Sequence, residues 1–513
     1  MEAVYTAGLG LWAIFFLIQF LYLVLALKLS KKDVVVRKDL AEKKMTILVP
    51  AYNEEKVLQS CFTGYENLDY QNFELIIIND GSSDGSMELL QKLLDLTEVD
   101  LKPKNLLNYH PVVSIFRSSV YPNVTVLDKI NGGKADALNA GADYASGDVI
   151  ITLDADSILQ KNALTHINEA MEDPNVIAGG GMVHVGQMYQ ESKPSFKGKG
   201  LIRYQLSDYM LAFYVKRFIQ SRFGVVSVVS GAFGAFRAFA LYEAGGYKKT
   251  IGEDMEITLN MQKLINTVYT KGKLVFIPKA ECYTEVPDTF GNLKKQRIRW
   301  QKGFLDSLKI YRKGRKKNLG VKLVFFIFID SLLPGAVGVF TTILLAWSFF
   351  TGKLMWLTLL LLAMTAVLQI IQRVSAYVVS KKYGHSYSKI DYLKICLFSA
   401  VELVTYRVLD AYFFLYGSIA FVFQKNHQWN KMERSGVVSI YSNEMLNDKP
   451  LLLAAAMPVQ VGLMEAAADI KPSEHLENST EFLREMVSET AEQVLEPLKE
   501  GMKNLVPLPK QDS

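Results

Sequence analysis

The sequence is poor in cysteine, with only Cys61, Cys282 and Cys396 in a chain of 513 residues. The three are odd in number, lie far apart and show no Cys-x-x-Cys spacing, so they imply neither a disulfide framework nor a zinc site. Internal repeats and low-complexity tracts are also missing. We therefore expect three buried free thiols in an ordinary folded chain.

The chain also lacks a strong excess of either charge, since 57 Lys and Arg residues oppose 52 Asp and Glu residues. The basic residues cluster beside apolar segments, where positive-inside topology explains them better than nucleic-acid binding does. We therefore predict no nucleic-acid partner. Half of the residues are hydrophobic, yet 21% are charged, which is too many for a purely membrane-spanning chain. The composition predicts a soluble domain joined to a membrane domain.

An uncharged run at residues 8–27 predicts a transmembrane helix within an N-terminal segment, 1–44. At 1.5 Å per residue its 20 residues are long enough to cross about 30 Å of hydrocarbon. Glu2 precedes the run, whereas a cleaved signal peptide would have a basic start. The basic residues that follow place its C-terminal end in the cytoplasm; they are Lys28, Lys31, Lys32, Arg37 and Lys38.

Residues 45–310 read as an α/β domain, because short apolar runs alternate with helical periodicity. The clearest runs are MTILVPA, FELIIIND and VIITLDAD. They predict a mostly parallel sheet with ligands at the carboxyl ends of its strands. Residues 100–123 interrupt the pattern and are interpreted as an inserted loop with a short hairpin, without a chemical role.

Residues 311–436 predict further membrane and interfacial helices, with apolar runs at 321–350, 354–379 and 392–423. Asp330 and Pro334 interrupt the first run. The third contains Glu402, Arg407 and Asp410, which are costly in a membrane unless they face protein, water or the interface. We expect this third segment to fold back or to lie partly in the interface. Residues 437–513 form a tail with a predicted amphipathic helix for docking or for a partner.

Two motifs follow the first two predicted strands: PAYNEE begins at Pro50, and NDGSSDGS begins at Asn79. Asp80 stands on a strand end beside glycines that let backbone approach a ligand, which suits recognition of a ribose or a base. Plain turns and helix caps are the alternative.

The next strand ends in LDADS, where Asp154 and Asp156 lie two residues apart. Mg²⁺ and Mn²⁺ prefer oxygen ligands and often bridge carboxylates to substrate phosphates, so the pair suits a metal and diphosphate clamp. An Asx turn that caps the following helix is the alternative. Upstream, Gly132 and Gly133 open a predicted helix with Lys134 at its positive end, which favours a phosphate.

Three further motifs are SGAFGAFR from Ser230, GEDMEIT from Gly252 and QRIRW from Gln296. An acidic pair can supply a general base, while Gln, Arg and Trp together can hold a diphosphate and stack a sugar ring. A solvated acidic face and a Trp that packs at the membrane surface are the alternatives.

In this order, and flanked by membrane segments, the motifs resemble those of the processive family 2 glycosyltransferases, which make cellulose, chitin, hyaluronan and poly-N-acetylglucosamine. The resemblance is strong over 45–310 and looser over the flanking spans and WNKMERSG near 429–436. It implies a GT-A (Rossmann-like) domain inserted between transmembrane helices. The expected location is the plasma membrane, with several spans and a cytoplasmic catalytic domain.

The resemblance also implies site residues. Donor-binding residues would be Pro50, Tyr52, Glu54, Asp80, Lys134, Asp154, Gln296 and Arg299. Among these, Asp80 would meet the nucleoside and Asp154 the nucleotide, while Asp156, with Asp154, would hold Mg²⁺ or Mn²⁺. Asp254 would be the base, beside Glu253. Acceptor-binding residues would be Gly231, Ala232, Phe233 and Trp300.

The implied reaction is inverting, metal-dependent extension of a β-linked polysaccharide from a UDP-sugar, with UDP-N-acetylglucosamine the best match. Expected partners are the donor, the growing polysaccharide, membrane lipid and either a small accessory subunit or a second copy bound through the tail. Transfer of one sugar to a membrane lipid is the alternative. Many relatives have Thr-Glu-Asp where this chain has Gly252, Glu253 and Asp254, so any role of that threonine is in doubt.

Overall fold

The computed structural model describes residues 2–29, 40–190, 193–313, 315–353 and 355–423. The predicted tail helix, the WNKMERSG segment and the basic residues at 31–38 lie outside these residues. The described strands are β1 (Met45–Ala51), β2 (Phe73–Asn79), β3 (Leu96–Glu98), β4 (Val112–Ser118), β5 (Val124–Lys129), β6 (Val149–Leu153), β7 (Ser157–Leu159), β8 (Val176–Val185), β9 (Tyr189–Gln190), β10 (Lys193–Pro194), β11 (Phe233–Arg237) and β12 (Lys273–Thr284).

The N-terminal apolar helix is α1 (Glu2–Leu29). The α-helices of the catalytic region are α2 (Glu55–Glu66), α3 (Ser86–Leu94), α4 (Lys134–Tyr144), α5 (Ala163–Ala170), α6 (Gly200–Leu211), α7 (Phe218–Arg222), α8 (Ala238–Glu243), α9 (Glu253–Thr267) and α10 (Phe290–Ile310). They are followed by α11 (Arg315–Leu319), α12 (Val321–Ile327), α13 (Leu333–Thr351), α14 (Met355–Lys381), α15 (Lys389–Val404) and α16 (Tyr406–Phe423). Two π-helical turns extend helices, at Ala212–Arg217 and Phe328–Leu332.

The main sheet has the order β3-β4-β5-β2-β1-β6-β11-β8-β12-β7. Its central strands β5, β2, β1 and β6 run parallel, which confirms the predicted α/β class. The central strands are apolar because both faces are covered. Ile47 and Val49 pack into one core, while Leu48 packs into the other. This alternation follows from the two-residue period of a strand.

The predicted hairpin near 100–123 is present but lies within the main sheet. Strand β4 pairs antiparallel with β5, and β3 pairs antiparallel with β4 at the sheet edge. The segment is therefore part loop and part sheet edge: residues 99–111 contain no helix or strand, and β4 pairs with a strand that begins after residue 123.

Four helical stretches among the described residues are long and apolar enough to cross a membrane: Gly8–Leu29, Val321–Thr351, Met355–Lys381 and Tyr406–Phe423. Asp330, which interrupts the second stretch, faces protein. Its Oδ2 accepts hydrogen bonds from Tyr22 Oη at 2.8 Å and Gln220 Nε2 at 2.6 Å. These contacts satisfy one of the two carboxyl oxygens of a buried acid in an otherwise apolar segment.

The third predicted run is broken at Thr405 into α15 and α16. The break is in keeping with a segment that folds back. Helix α16 packs along α10, where Gln301 Nε2 donates to Ser418 Oγ at 3.0 Å. The charged residues of this run face protein, as expected: Arg407 donates to Asp410 at 2.7 Å and to Glu402 at 2.7 Å.

Candidate active site

A cavity of about 710 Å³ lies where the carboxyl ends of β1, β2 and β6 face α6, α9 and α10. Its volume is in the range of small-molecule sites. It collects all but one of the predicted site residues, namely Pro50, Tyr52, Glu54, Asp80, Lys134, Asp154, Asp156, Gly231, Ala232, Glu253, Asp254, Gln296, Arg299 and Trp300. The parallel register explains the first half of this set, because Ala51 and Asn79 are direct neighbours at the strand ends.

The PAYNEE and DGSSDGS motifs interlock at this edge. Asn53 adopts a positive φ of 57°. Its backbone N donates to Ser82 Oγ at 2.9 Å, and its side-chain Oδ1 accepts from the backbone N of Ser83 at 2.6 Å. Glu54 N donates to Ser86 Oγ at 2.9 Å. The serine-rich turn therefore holds the first motif in place and directs its residues to the cavity wall.

Asp80 is almost fully buried, at 2% exposure, and its carboxylate is enclosed by donors. It accepts from Lys129 Nζ at 2.7 Å, from Gly132 N at 3.0 Å and from Gly133 N at 2.8 Å. The sequence predicted that the start of α4 would bind a phosphate. The two glycine amides just before α4 already bind an anion, the Asp80 carboxylate, and phosphate binding at the helix start itself stays a prediction.

Lys134, the first residue of α4, joins two of the acidic motifs. Its Nζ lies 2.5 Å from Asp154 Oδ1 and 3.2 Å from Glu253 Oε1. Burial alone would lower the pKa of Lys134, but the charges of Asp154 and Glu253 outweigh it and raise that pKa above its usual range. Lys134 therefore stays protonated and supplies a fixed positive charge inside the cavity.

Asp154 and Asp156 have different surroundings although they are two residues apart. The Asp154 carboxylate is paired with Lys134, whereas Asp156 Oδ1 accepts from Thr284 Oγ1 at 3.2 Å. Thr284 ends strand β12, so the sheet itself orients Asp156. Both carboxylates line the cavity and offer the oxygen ligands that Mg²⁺ and Mn²⁺ prefer.

Asp254 lies in the first turn of α9, where its carboxylate accepts backbone hydrogen bonds. The donors are Gly231 N at 3.2 Å and Met255 N at 2.8 Å. A Cβ at Gly231 would lie 3.0 Å from Lys134 Nζ, so glycine allows this close approach. Burial raises the pKa of the neighbouring Glu253, and the charge of Lys134 opposes the rise.

Gly252, where many relatives have threonine, touches α10 directly. A Cβ there would lie 3.1 Å from the Gly303 Cα, and a Cβ at Gly303 would lie 2.9 Å from the Gly252 Cα. The two glycines let the start of α9 pack against the helix that carries Gln296, Arg299 and Trp300. Where the family resemblance implies a threonine, this chain thus has a glycine whose backbone lies close to that of Gly303.

Phe233 is the predicted site residue that the cavity does not include. It lies in β11 with 0% exposure and packs into the core. The prediction of an acceptor contact at Phe233 was therefore wrong. The alternation along β11 points this side chain away from the cavity, while Gly231 and Ala232 precede the strand and line the cavity.

The opposite wall combines α10, whose QRIRW motif the sequence indicated, with α6, the following π-helical turn and α16, which the sequence did not indicate. The residues that this wall adds to the predicted ones include Asp208, Lys216, Arg217, Arg297 and Arg407. Burial lowers the pKa of Arg217 to about 10, with the charge of Asp254 opposing the shift. The available sequence signal was the set of charged residues in the third apolar run. The π-helical turn, a feature that is frequent at functional sites, is visible only in the structure.

Comparisons with known proteins identify the domain. Residues 46–245 match the family described as Glycosyl transferase family 2, and residues 149–379 match Glycosyl transferase family group 2. Residues 46–245 therefore form a glycosyltransferase family 2 domain. The glycosyltransferase domain therefore has the GT-A-like fold that the motifs predicted, and its mixed sheet carries the motifs at one edge.

Several curated proteins are similar to this glycosyltransferase. Poly-beta-1,6-N-acetyl-D-glucosamine synthase of Staphylococcus aureus (strain COL) is 30% identical over 265 residues, which are 50% of this chain and 54% of that protein. The synthase of Staphylococcus epidermidis is 28% identical over 264 residues, again 50% of this chain and 54% of that protein. The chain thus spans about half the length of the curated relatives it matches.

Among solved structures, a mannosyltransferase from Pyrobaculum calidifontis in complex with GDP-Man and Mn²⁺ is 19% identical. The alignment covers 78% of this chain and 98% of that one, with a TM-score of 0.49.

Proposed function

We propose that this glycosyltransferase extends a β-linked polysaccharide from a nucleotide-diphosphate sugar, with UDP-N-acetylglucosamine as the best match. The observation that carries the proposal is the single cavity that unites the acidic strand ends with Trp300, next to helices long enough to cross a membrane. The names of the curated relatives, which are poly-N-acetylglucosamine synthases, support the choice of sugar.

The proposed chemistry is a single displacement with inversion. Asp254 accepts the proton of the acceptor hydroxyl as its oxygen attacks the anomeric carbon, and the bond to the diphosphate breaks. Two backbone amides, Gly231 N and Met255 N, hold the Asp254 carboxylate in place. Lys134 and Arg299 add positive charge near the leaving diphosphate. Glu253 keeps Lys134 positioned through their ion pair.

A divalent metal fits the donor set at the strand end. Asp156, with Asp154 beside it, would hold Mg²⁺ or Mn²⁺, since these ions commonly take one or two carboxylates together with substrate phosphates. When bound, the ion supplies positive charge to the departing diphosphate. Thr284 keeps the Asp156 carboxylate directed to the cavity through its hydrogen bond to Oδ1.

Processive extension is supported by Trp300. Its indole is 41% exposed, lines the cavity and has the Arg297 guanidinium 4.6 Å from its ring centroid. A flat apolar ring can stack on a sugar whatever its hydroxyl pattern, which suits a chain that must slide. The helices after residue 321 would receive the product for export, with the catalytic domain in the cytoplasm of a multi-pass plasma-membrane protein. Membrane lipid and an accessory subunit or a second copy are the proposed partners.

The decisive test is product analysis with the whole chain purified into lipid. Labelled UDP-N-acetylglucosamine is supplied, with other UDP-sugars in parallel, and the product is sized. We expect long polymer from the wild type and, from Trp300→Ala, residual donor hydrolysis without polymer. Trp356→Ala is the matched control, because Trp356 is 86% exposed on α14, outside the cavity. A lipid that carries a single sugar as the wild-type product would contradict the proposal and favour lipid glycosylation.

A further inference from the structure

A second group of candidate metal ligands lies outside the cavity. His184 lies next to the last residue of β8, Glu281 lies on β12 and His385 follows α14, and one ligand atom from each lies within 4.8 Å of the others. All three side chains are at least nine-tenths buried, with exposures of 0%, 8% and 7%. No role in sugar transfer accounts for this group, since none of its members lines the cavity.

The hydrogen bonds of the group are incomplete. His385 Nε2 lies 2.8 Å from Glu281 Oε1, which is an ordinary hydrogen bond or ion pair. His184 Nε2 lies 3.6 Å from Glu281 Oε2, and among the described residues this buried nitrogen has no hydrogen-bond partner. A buried polar atom left in this state is unfavourable, because its desolvation is not compensated by a hydrogen bond. An ion pair between His385 and Glu281 alone therefore does not explain His184.

Tyr189 orients both imidazoles in the way that metal sites require. Its hydroxyl oxygen lies 2.8 Å from His184 Nδ1 and 3.2 Å from His385 Nδ1. A phenol oxygen can accept a hydrogen bond from each Nδ1–H, which leaves the Nε2 lone pairs of both rings directed toward Glu281. Hydrogen bonding at the second ring nitrogen is the usual way in which a protein fixes the tautomer of a metal-binding histidine.

We propose that His184, Glu281 and His385 bind a divalent transition-metal ion, and that zinc is the best match. Two neutral imidazoles and one carboxylate form a common zinc donor set, which leaves a fourth position for water. The mixed nitrogen and oxygen ligands distinguish this site from the all-oxygen set at Asp154 and Asp156.

The position of the proposed ion indicates what it does. His385 lies four residues after the end of α14, which is long and apolar enough to cross a membrane. Glu281 lies on β12, three residues before Thr284, which donates to Asp156. The ion would fasten the end of a membrane helix to the strand that orients a residue of the sugar-transfer site. This role does not depend on which sugar is transferred.

The test uses the whole chain purified in detergent, stripped with chelator and then titrated with Zn²⁺ alone. We expect one tightly held zinc per chain by elemental analysis and a higher unfolding temperature with zinc. His184→Gln and His385→Gln should lose this zinc and the stabilisation. Asp156→Ala should keep both, which separates this site from the sugar-transfer site. His166→Gln is the matched control, because His166 pairs with Glu169 elsewhere on the surface of the domain.

Tyr189→Phe is a second, milder variant that tests the same zinc site if a histidine variant fails to fold. It removes one hydroxyl with little change of shape and should weaken zinc binding about 10-fold to 100-fold. The proposal is wrong if the stripped wild type takes up no tightly held zinc, or if Tyr189→Phe, His184→Gln and the wild type bind zinc equally.

Discussion

The two walls of the cavity are built in different ways. The sheet-edge wall consists of residues at the ends of β1, β2 and β6, held by hydrogen bonds between neighbouring turns. The helix wall consists of α6, α10 and α16, and a contact such as that between Asp208 and Arg407 joins residues 199 positions apart. The first wall is mainly acidic, whereas the second is mainly basic. Local sequence therefore encodes one wall, and the tertiary fold assembles the other.

Asp208 is the centre of the helix wall. Its carboxylate lies 2.8 Å from Arg407, 3.4 Å from Arg297 and 3.5 Å from Arg373. These arginines belong to α16, α10 and α14, so one acid on α6 connects the QRIRW helix with two apolar helices that could span a membrane. In the proposed reaction the sheet-edge wall carries the metal, Asp254 between the two walls is the base, and the helix wall positions the acceptor side.

The largest expected effect is on the sheet-edge wall, at Asp156. Asp156→Ala removes a carboxylate proposed to hold the metal, whose charge stabilisation is worth several kcal/mol, so transfer should fall by about 10³-fold or more. Excess chelator should have a similar effect on the wild type. Asp69→Ala, at a side chain 64% exposed, should leave transfer unchanged. Transfer that survives both chelator and Asp156→Ala would contradict the metal proposal.

A smaller loss is expected at Asp254, which lies between the walls. Asp254→Asn removes the base with almost no change in size, so transfer should fall by about 10²-fold to 10⁴-fold while the donor still binds. Donor binding can be measured directly with labelled UDP-sugar. Asp306→Asn, on α10 outside the cavity, is the control and should behave as wild type. If donor binding is lost together with transfer, Asp254 is a binding residue and not the base.

The sheet-edge wall could be predicted because its causes are local. Apolar runs that end in Asp154 or Asp80 must bring those residues to one edge once the strands are parallel, and the register confirms this. Gly8–Leu29 and Met355–Lys381, which are long and apolar enough to cross a membrane, followed from the length and lack of charge of their apolar runs. The motif order identified the family, and the family profile matches confirmed it.

The remaining features depend on distances that a sequence pattern does not contain. The burial of Asp80 against the start of α4 requires the packing of two loops about 50 residues apart. Phe233 is two residues after Gly231, yet the strand geometry turns it into the core. Arg407 appeared as a costly charge in an apolar run, but its partner Asp208 could not be inferred, because the pairing arises only when α6 meets α16.

The helix wall is tested by Asp208→Asn, which keeps the shape of the side chain and removes its charge. Three arginines would then face only Glu402 and Asp410, and Arg373 is 1% exposed. Removing one partner of a fully buried ion pair costs about 3–5 kcal/mol, and the cost here should be smaller because Asp208 is 20% exposed and Arg373 keeps Glu402; the unfolding temperature should still fall. Asp69→Asn breaks only an exposed pair with Lys161 and should cost less than about 1 kcal/mol. Equal stability of the two variants would show that Asp208 does not hold the wall together.

The smallest expected effect concerns the contact that joins the base to the helix wall, between Gly252 and Gly303. In Gly252→Ala the new Cβ would lie 3.1 Å from backbone atoms of α10, which cannot move aside as a flexible side chain can. The φ of Gly252 is −129°, which alanine adopts without strain, so crowding is the only penalty. Overpacking of this kind costs about 1–3 kcal/mol.

Gly291→Ala is the matched control for Gly252→Ala and lies on α10, because a Cβ there would meet nothing within 4 Å. Alanine should stabilise that position by about 0.5–1 kcal/mol, since glycine is the poorer helix former. In thermal unfolding in detergent, Gly252→Ala should therefore lower the unfolding temperature and Gly291→Ala should raise it. Gly252→Ala should also slow transfer, because Asp254 would shift relative to Arg299 and Trp300. If Gly252→Ala is as stable and as active as Gly291→Ala, the two walls are not joined through this glycine contact, and the missing threonine has no structural consequence.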